Sequence, residues 1–270
     1  MLKRLIFLFI IVPFQLSASE EIARDVVTQM RFGEIIQIMH DEGISDSSEL
    51  PKDLMMGQLG TSWEQSLAMI YDIEMMTRTV ETLFLGSLGT ENLEGILGFV
   101  SSEAWQTAID LELAARHAML TPEIEQTAYD NYYRALSKNT QLVSDLEALV
   151  DSVDLVEQNV VGALNGMYQF NVGLVDGGLD MGYAEDELLT QIWAEEENIR
   201  NEVSEWMYAF LVLAYGSMER QTLLDQIRFF ETSEGRLLNS AMFDAFDGML
   251  NDIAYQLGFA LAGMLRESTL

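Results

Sequence analysis

Apolar residues return every three or four positions along most of this chain. The longest such run, Leu238, Met242, Ala245, Met249, Ile253, Leu257, Ala260 and Met264, places its side chains on one helix face. No segment shows the strict alternation of a half-buried strand, so the pattern predicts an all-α fold, a helical bundle. Helices are expected at about 20–42, 62–85, 90–100, 103–120, 122–150, 155–174, 186–215, 219–230 and 234–267. Start signals agree: Thr61-Ser-Trp-Glu64 and Asp154-Leu-Val-Glu157 have capping-box spacing, and Thr121-Pro122 puts proline at a first helical position.

The same pattern repeats. At an offset of 130, Trp63 falls on Trp193, Leu83 on Leu213 and Gly86-Ser87 on Gly216-Ser217, with Met69/Ile199, Asp72/Glu202 and Ile73/Val203 as conservative pairs. At 131, Leu93, Ile96, Phe99, Ser102, Glu103 and Ala114 fall on Leu224, Ile227, Phe230, Ser233, Glu234 and Ala245; near 135, Asp41-x-Gly43 falls on Asp176-x-Gly178. Ordered matches with so few shifts point to a duplication: a first helical repeat over 20–150 and a second over 151–270. In each copy the serine is read as the cap of the following helix, its hydroxyl accepting an orphan backbone N–H, and the phenylalanine as an anchor in the core.

The first residues break the pattern. Lys3 and Arg4 precede an apolar stretch from Leu5 to Leu16, and Ser17-Ala-Ser19 supplies small residues around a cleavage bond, the layout of a secretory signal peptide over 1–19. The stretch falls short of the ~20 apolar residues a spanning helix needs and contains Pro13, so cleavage is expected rather than anchorage. The expected address is periplasmic or secreted. With no cysteine anywhere, a lipid-modified cysteine, disulfides, zinc–thiolate sites and thiol nucleophiles are excluded.

Charge narrows the partners. All 44 acidic residues lie beyond Ser19, against 12 Lys and Arg once Lys3 and Arg4 are removed, a net charge of −32. Such a surface repels phosphate backbones and anionic headgroups, which excludes nucleic acid and membrane-surface roles.

Candidate chemistry is sparse. His40 and His117 have no partner at metal-ligand spacing, neither H-E-x-x-H nor Glu-x-x-His. Gly86-Ser-Leu-Gly89 is not a nucleophile elbow, and Lys52 and Lys138 are the only lysines beyond the leader. Asp176, Asp180 and Glu187 occupy positions 1, 5 and 12 of an EF-hand-like loop, but Gly178 and Met181 stand at positions 3 and 6, so an acidic interhelical loop is expected instead. Glu195-Glu-Glu197 reads as a solvated face. No catalytic residue, metal ligand or cofactor is assigned. The many methionines, Met55-Met56 and Met75-Met76 among them, are read as core filling, with an adaptable apolar groove as the alternative.

The segments Phe99-Val-Ser-Ser102-Glu-Ala-Trp and Phe230-Glu-Thr-Ser233-Glu-Gly235-Arg, together with Leu111-Glu-Leu-Ala-Ala115-Arg116-His-Ala118, resemble a bacterial family catalogued as domain of unknown function 2059. The resemblance implies exported helical domains and no established activity; Ala104 stands where that family tends to have glycine, as Gly235 does. The expectation is an exported, non-catalytic helical protein that binds an apolar ligand or the helix of an envelope protein. A metal-assisted hydrolase built from helix carboxylates is the alternative.

Overall fold

In a computed structural model, the described residues are 18–53, 60–89, 93–138, 140–179, 182 and 184–268. All but the last two residues of the leader therefore lie outside them, as do Met55, Met56, Asp180 and Met181. All regular structure among the described residues is helical: α1 (Ala18–Met30), α2 (Phe32–Asp53), α3 (Gly60–Ile70), α4 (Ile73–Leu88), α5 (Leu93–Val100), α6 (Glu103–Met119), α7 (Pro122–Ser137), α8 (Gln141–Ser152), α9 (Leu155–Asp176), α10 (Glu185–Ala194), α11 (Glu196–Tyr215), α12 (Arg220–Phe230) and α13 (Ser233–Ser268).

The all-α reading holds, and four of the expected long helices are each broken in two. Arg31 ends α1 with φ 56°, a left-handed conformation that breaks the helix, while its guanidinium pairs with Glu34 at 2.6 Å. Asp72 starts α4 by accepting the Met75 N–H at 2.8 Å, and Thr140 starts α8 by accepting that of Val143 at 3.4 Å. The fourth break falls at Glu195, between α10 and α11.

Helix α13 is the spine. Leu238, Ala245, Met249, Ile253 and Leu257 of its expected face are buried, joined by Ala241 and Leu261, while Met242, Ala260 and Met264 are half-buried, and the helix packs against both α4 and α9. Phe32, the first residue of α2, wedges between Phe84 of α4 and Phe246 of α13, with ring centroids 4.9 and 5.7 Å apart and edge-to-face geometry. Helices α9 and α13 run in the same direction: Gly162 faces Asp247, Gly173 faces Tyr255 and Phe259, and Gly177 faces Ala262. Close approach here requires glycine, because a Cβ on Gly173 or Gly258 would collide with the carbonyl oxygen of Tyr255 or Phe170.

One core unites the two halves of the sequence, from Val26 and Phe84 to Tyr215 and Leu261. The matched phenylalanines meet where the halves join. Phe99 stacks on Phe229 at 3.6 Å and lies edge-on to Phe230 at 6.2 Å. Other matched residues part company. Trp63 is 3% exposed and donates Nε1–H to the Ser47 carbonyl, whereas Trp193 is 64% exposed on α10.

The capping expectations divide in the same way. Ser102 accepts the Trp105 N–H at 3.2 Å, as expected. Its counterpart Ser233 does not cap: the preceding Thr232 accepts the Gly235 N–H at 3.0 Å, and the Ser233 hydroxyl donates to Glu234. The Asp154 box does not form either, because Asp154 is left-handed at φ 50° and makes no side-chain cap, and Glu157 pairs instead with Arg200 at 2.7 Å. Helix α3 already begins at Gly60, which places Thr61 inside it rather than at its cap.

Candidate functional site

Two polar arrangements stand out against this apolar interior. The first lies in the seam of α6 and α11, where the Tyr215 hydroxyl donates a hydrogen bond to Glu112. An ordinary amphipathic reading leaves Glu112 on a solvated face; the fold instead covers it with α11. Burial pushes the Glu112 carboxyl above its ordinary value of 4.5, against the smaller opposing effects of the Tyr215 bond and the Arg116 charge. Burial also drives the Tyr215 phenol well up, reinforced by the adjacent carboxylate. Arg116, one turn along, grips Glu42 of α2 through Nε at 3.1 Å and Nη2 at 2.7 Å and lies 5.4 Å from the centre of the Trp206 ring. These bonds tie α2, α6 and α11 together.

The second arrangement is a notch of about 250 Å³ at the junction of α8, α9 and α13. Asp151, Ser152, Val153, Asp154 and Gln158 form one wall, and Arg236, Asn239, Ser240, Phe243 and Asp244 the other. Successive turns of α13 supply residues 236, 239–240 and 243–244, all directed at the α8–α9 corner. The corner is pinned by Asn239, which donates Nδ2–H to the Val153 carbonyl at 3.1 Å. Arg236 donates Nη1–H to the Glu231 carbonyl at 2.5 Å. Glu112 and Tyr215 do not line this notch.

Burial, with the Glu147 and Asp151 carboxylates adding to it, raises the Tyr208 phenol to about 12. Burial, with Asp244 adding to it, raises the half-buried Asp247 carboxyl, which faces Gly162 of α9.

The residues that the sequence singles out are scattered. His40 sits beside Asp41 at 2.8 Å, and His117 is exposed on α6. Asp176 accepts the Tyr255 hydroxyl at 3.1 Å, and Glu187 is exposed in the first turn of α10. Among the described residues no three carboxylate or imidazole side chains converge as metal ligands would. Among the described methionines, Met30, Met76, Met119, Met207 and Met249 are buried, whereas Met69, Met75 and Met167 are exposed. Among the described residues no helix is long and apolar enough to cross a membrane.

No family model matches the chain, and no curated protein and no solved structure matches it.

Proposed function

We propose that this chain is exported through its N-terminal leader and acts in the cell envelope as a non-catalytic helical protein that docks the helix of a partner. Supporting export are the basic, apolar and small-residue segments of the leader in their required order. A duplication supports the two-part build, since both halves follow the order of a shorter helix, a longer helix, a short helix and a capped helix after their first long segment.

The observation that carries the binding role is the outer face of α10. Trp193 is 64% exposed and Leu189, one turn before it, 40%, while Leu188 and Ile192 hold the inner face in a small cluster with Val160 and Leu164. Large apolar side chains one turn apart on a firmly seated helix are how a helix partner is gripped, and tryptophan leads the residue types that dominate such contacts. Its counterpart Trp63 is buried, so the exposure belongs to the second half alone.

Native mass spectrometry of the protein released from the periplasm tests both parts. Export predicts an intact mass lacking the first 18 or 19 residues. Docking predicts a co-purifying protein that is lost in the Leu189→Ser/Trp193→Ala double variant. A bare, full-length species would overturn the reading.

A further inference from the structure

If the outer face of α10 docks a helix, as proposed above, the surroundings of that face decide which kind. Its apolar pair is presented by a change of face and not by loose packing. At the 130-residue offset α10 falls on α3, where Trp63 is buried and Ser62 exposed; in α10 Ile192 is buried and Trp193 exposed. The seated face has moved by one residue, about 100° of rotation on a helix of 3.6 residues per turn. The other side of α10 is occupied, with Leu188 and Ile192 held against Val160 and Leu164 of α9. Leu189 and Trp193 therefore point away from a seated helix.

Charge frames this pair. Residues 185–197 contain Glu185, Asp186, Glu187, Glu195, Glu196 and Glu197 and no lysine or arginine. Some of these carboxylates are engaged within the protein: Glu185 accepts the Tyr168 hydroxyl at 2.7 Å, Glu195 the Asn198 amide at 3.1 Å and Glu196 the Arg200 guanidinium at 2.6 Å. Asp186, Glu187 and Glu197 are exposed, and among the described residues their carboxylates have no hydrogen-bond or ion-pair partner. Asp186 precedes Leu189 by one turn, and Glu197 follows Trp193 just past the break at Glu195. The apolar pair thus has an unpaired carboxylate before it and another after it.

That arrangement sorts the occupants. A second copy of this chain would set the same carboxylates, and a net charge of −30, against themselves. An anionic lipid surface is repelled for the same reason. A helix with cations at both ends of its apolar stripe satisfies every group, and one of those cations can lie over the Trp193 ring. We propose that the outer face of α10 binds a basic amphipathic helix of a partner protein. The partner's apolar stripe covers Leu189 and Trp193, and its lysine or arginine side chains meet Asp186, Glu187 and Glu197.

Fluorescence anisotropy on the purified protein at physiological ionic strength tests this with three labelled synthetic helical peptides. The first has leucines at i, i+4 and i+7 with lysines at both ends of that stripe; the second has glutamate for each lysine; the third keeps the lysines and has serine for each leucine. The first should bind saturably, and the other two should be weaker by about tenfold or more. Leu189→Ser/Trp193→Ala should lose the first peptide. Asp186→Asn/Glu187→Gln/Glu197→Gln should weaken it by about tenfold and flatten its salt dependence. Removal of as many charges from exposed positions on α5 and α7, in Glu94→Gln/Glu123→Gln/Asp130→Asn, should change neither.

Equal binding of the lysine and glutamate peptides, both lost in Leu189→Ser/Trp193→Ala, would overturn the basic partner and leave helix docking standing. Equal losses in the two charge variants would overturn it as well, since the effect would then be a general acidic field. Absence of saturable binding by any peptide, or binding untouched by Leu189→Ser/Trp193→Ala, would overturn the docking role along with it. Circular dichroism melts of each variant separate lost binding from lost folding.

Discussion

Gly173 and Gly258 sit on facing turns of α9 and α13, each lying against the other helix's backbone so closely that neither can carry a side chain. The crossing is therefore set by backbone contact, with no side chain that could rotate away. Replacing either glycine by alanine is expected to cost more than the ~1–3 kcal/mol typical of overpacking, because a carbonyl oxygen has to move. Gly166, on the same helix with nothing within 4 Å of where a Cβ would stand, is the internal control, and alanine there should stabilise by up to ~1 kcal/mol through helix propensity. Urea unfolding of the three variants reads out both signs.

The Glu112 carboxyl makes stability fall as pH rises. Its folded value lies above the ordinary 4.5, so between those two values the folded state holds the extra proton. The contribution is complete below the ordinary value and is lost as pH climbs through the folded one. Glu112→Gln should flatten that limb of a stability–pH profile and raise the melting temperature at its alkaline end.

Tyr215→Phe keeps the ring, 2% exposed in the wild type, and removes the hydroxyl that donates to Glu112. Leaving the buried carboxyl without its donor should cost about 1–3 kcal/mol. Guanidinium unfolding measures the loss, and combining Tyr215→Phe with Glu112→Gln should cost less than the two single effects added together.

Acid should act through a different pair. Asp145 is 7% exposed and is bonded by Arg220 at 2.6 and 3.0 Å and by Gln141 at 3.0 Å. These partners, Arg220 first, hold its carboxyl below the ordinary 3.8, so its stabilising contribution is present above that value and lost as pH falls through the folded one. Arg220→Ala should move the midpoint of acid unfolding to higher pH, as followed by far-ultraviolet circular dichroism.

Trp193 should dominate quenching of the intrinsic fluorescence. Trp63 and Trp105 are buried and Trp206 is half-covered by Phe210 and Arg116. Acrylamide is expected to quench the wild type in two components and Trp193→Phe in little more than the slow one.

The helical class was legible because a period of three to four residues runs through the whole chain, and the face it marks on α13 is the face that is buried. The breaks were not legible for the same reason. At Arg31, Asp72, Thr140 and Glu195 the apolar rhythm carries across the interruption; no proline marks any of them, and the glycine nearest the first, Gly33, lies inside α2. Local capping could be read at Ser102, where the partner is three residues away. It failed at Asp154, where Glu157 answers to an arginine on another helix, 43 residues distant. The notch and the Glu112–Tyr215 pair were invisible in sequence because the Val153–Asn239 bond that pins the notch spans 86 residues and the pair spans 103. The one local sign, a left-handed aspartate, is a conformation and not a residue type.

The position of the spine in the chain also has a consequence for biogenesis. Helices α4 and α9 both close on α13, which the ribosome makes after every other described helix, so neither half can complete its core while synthesis is in progress. The core therefore closes only once α13 has been made, which places its assembly late in the folding of the chain.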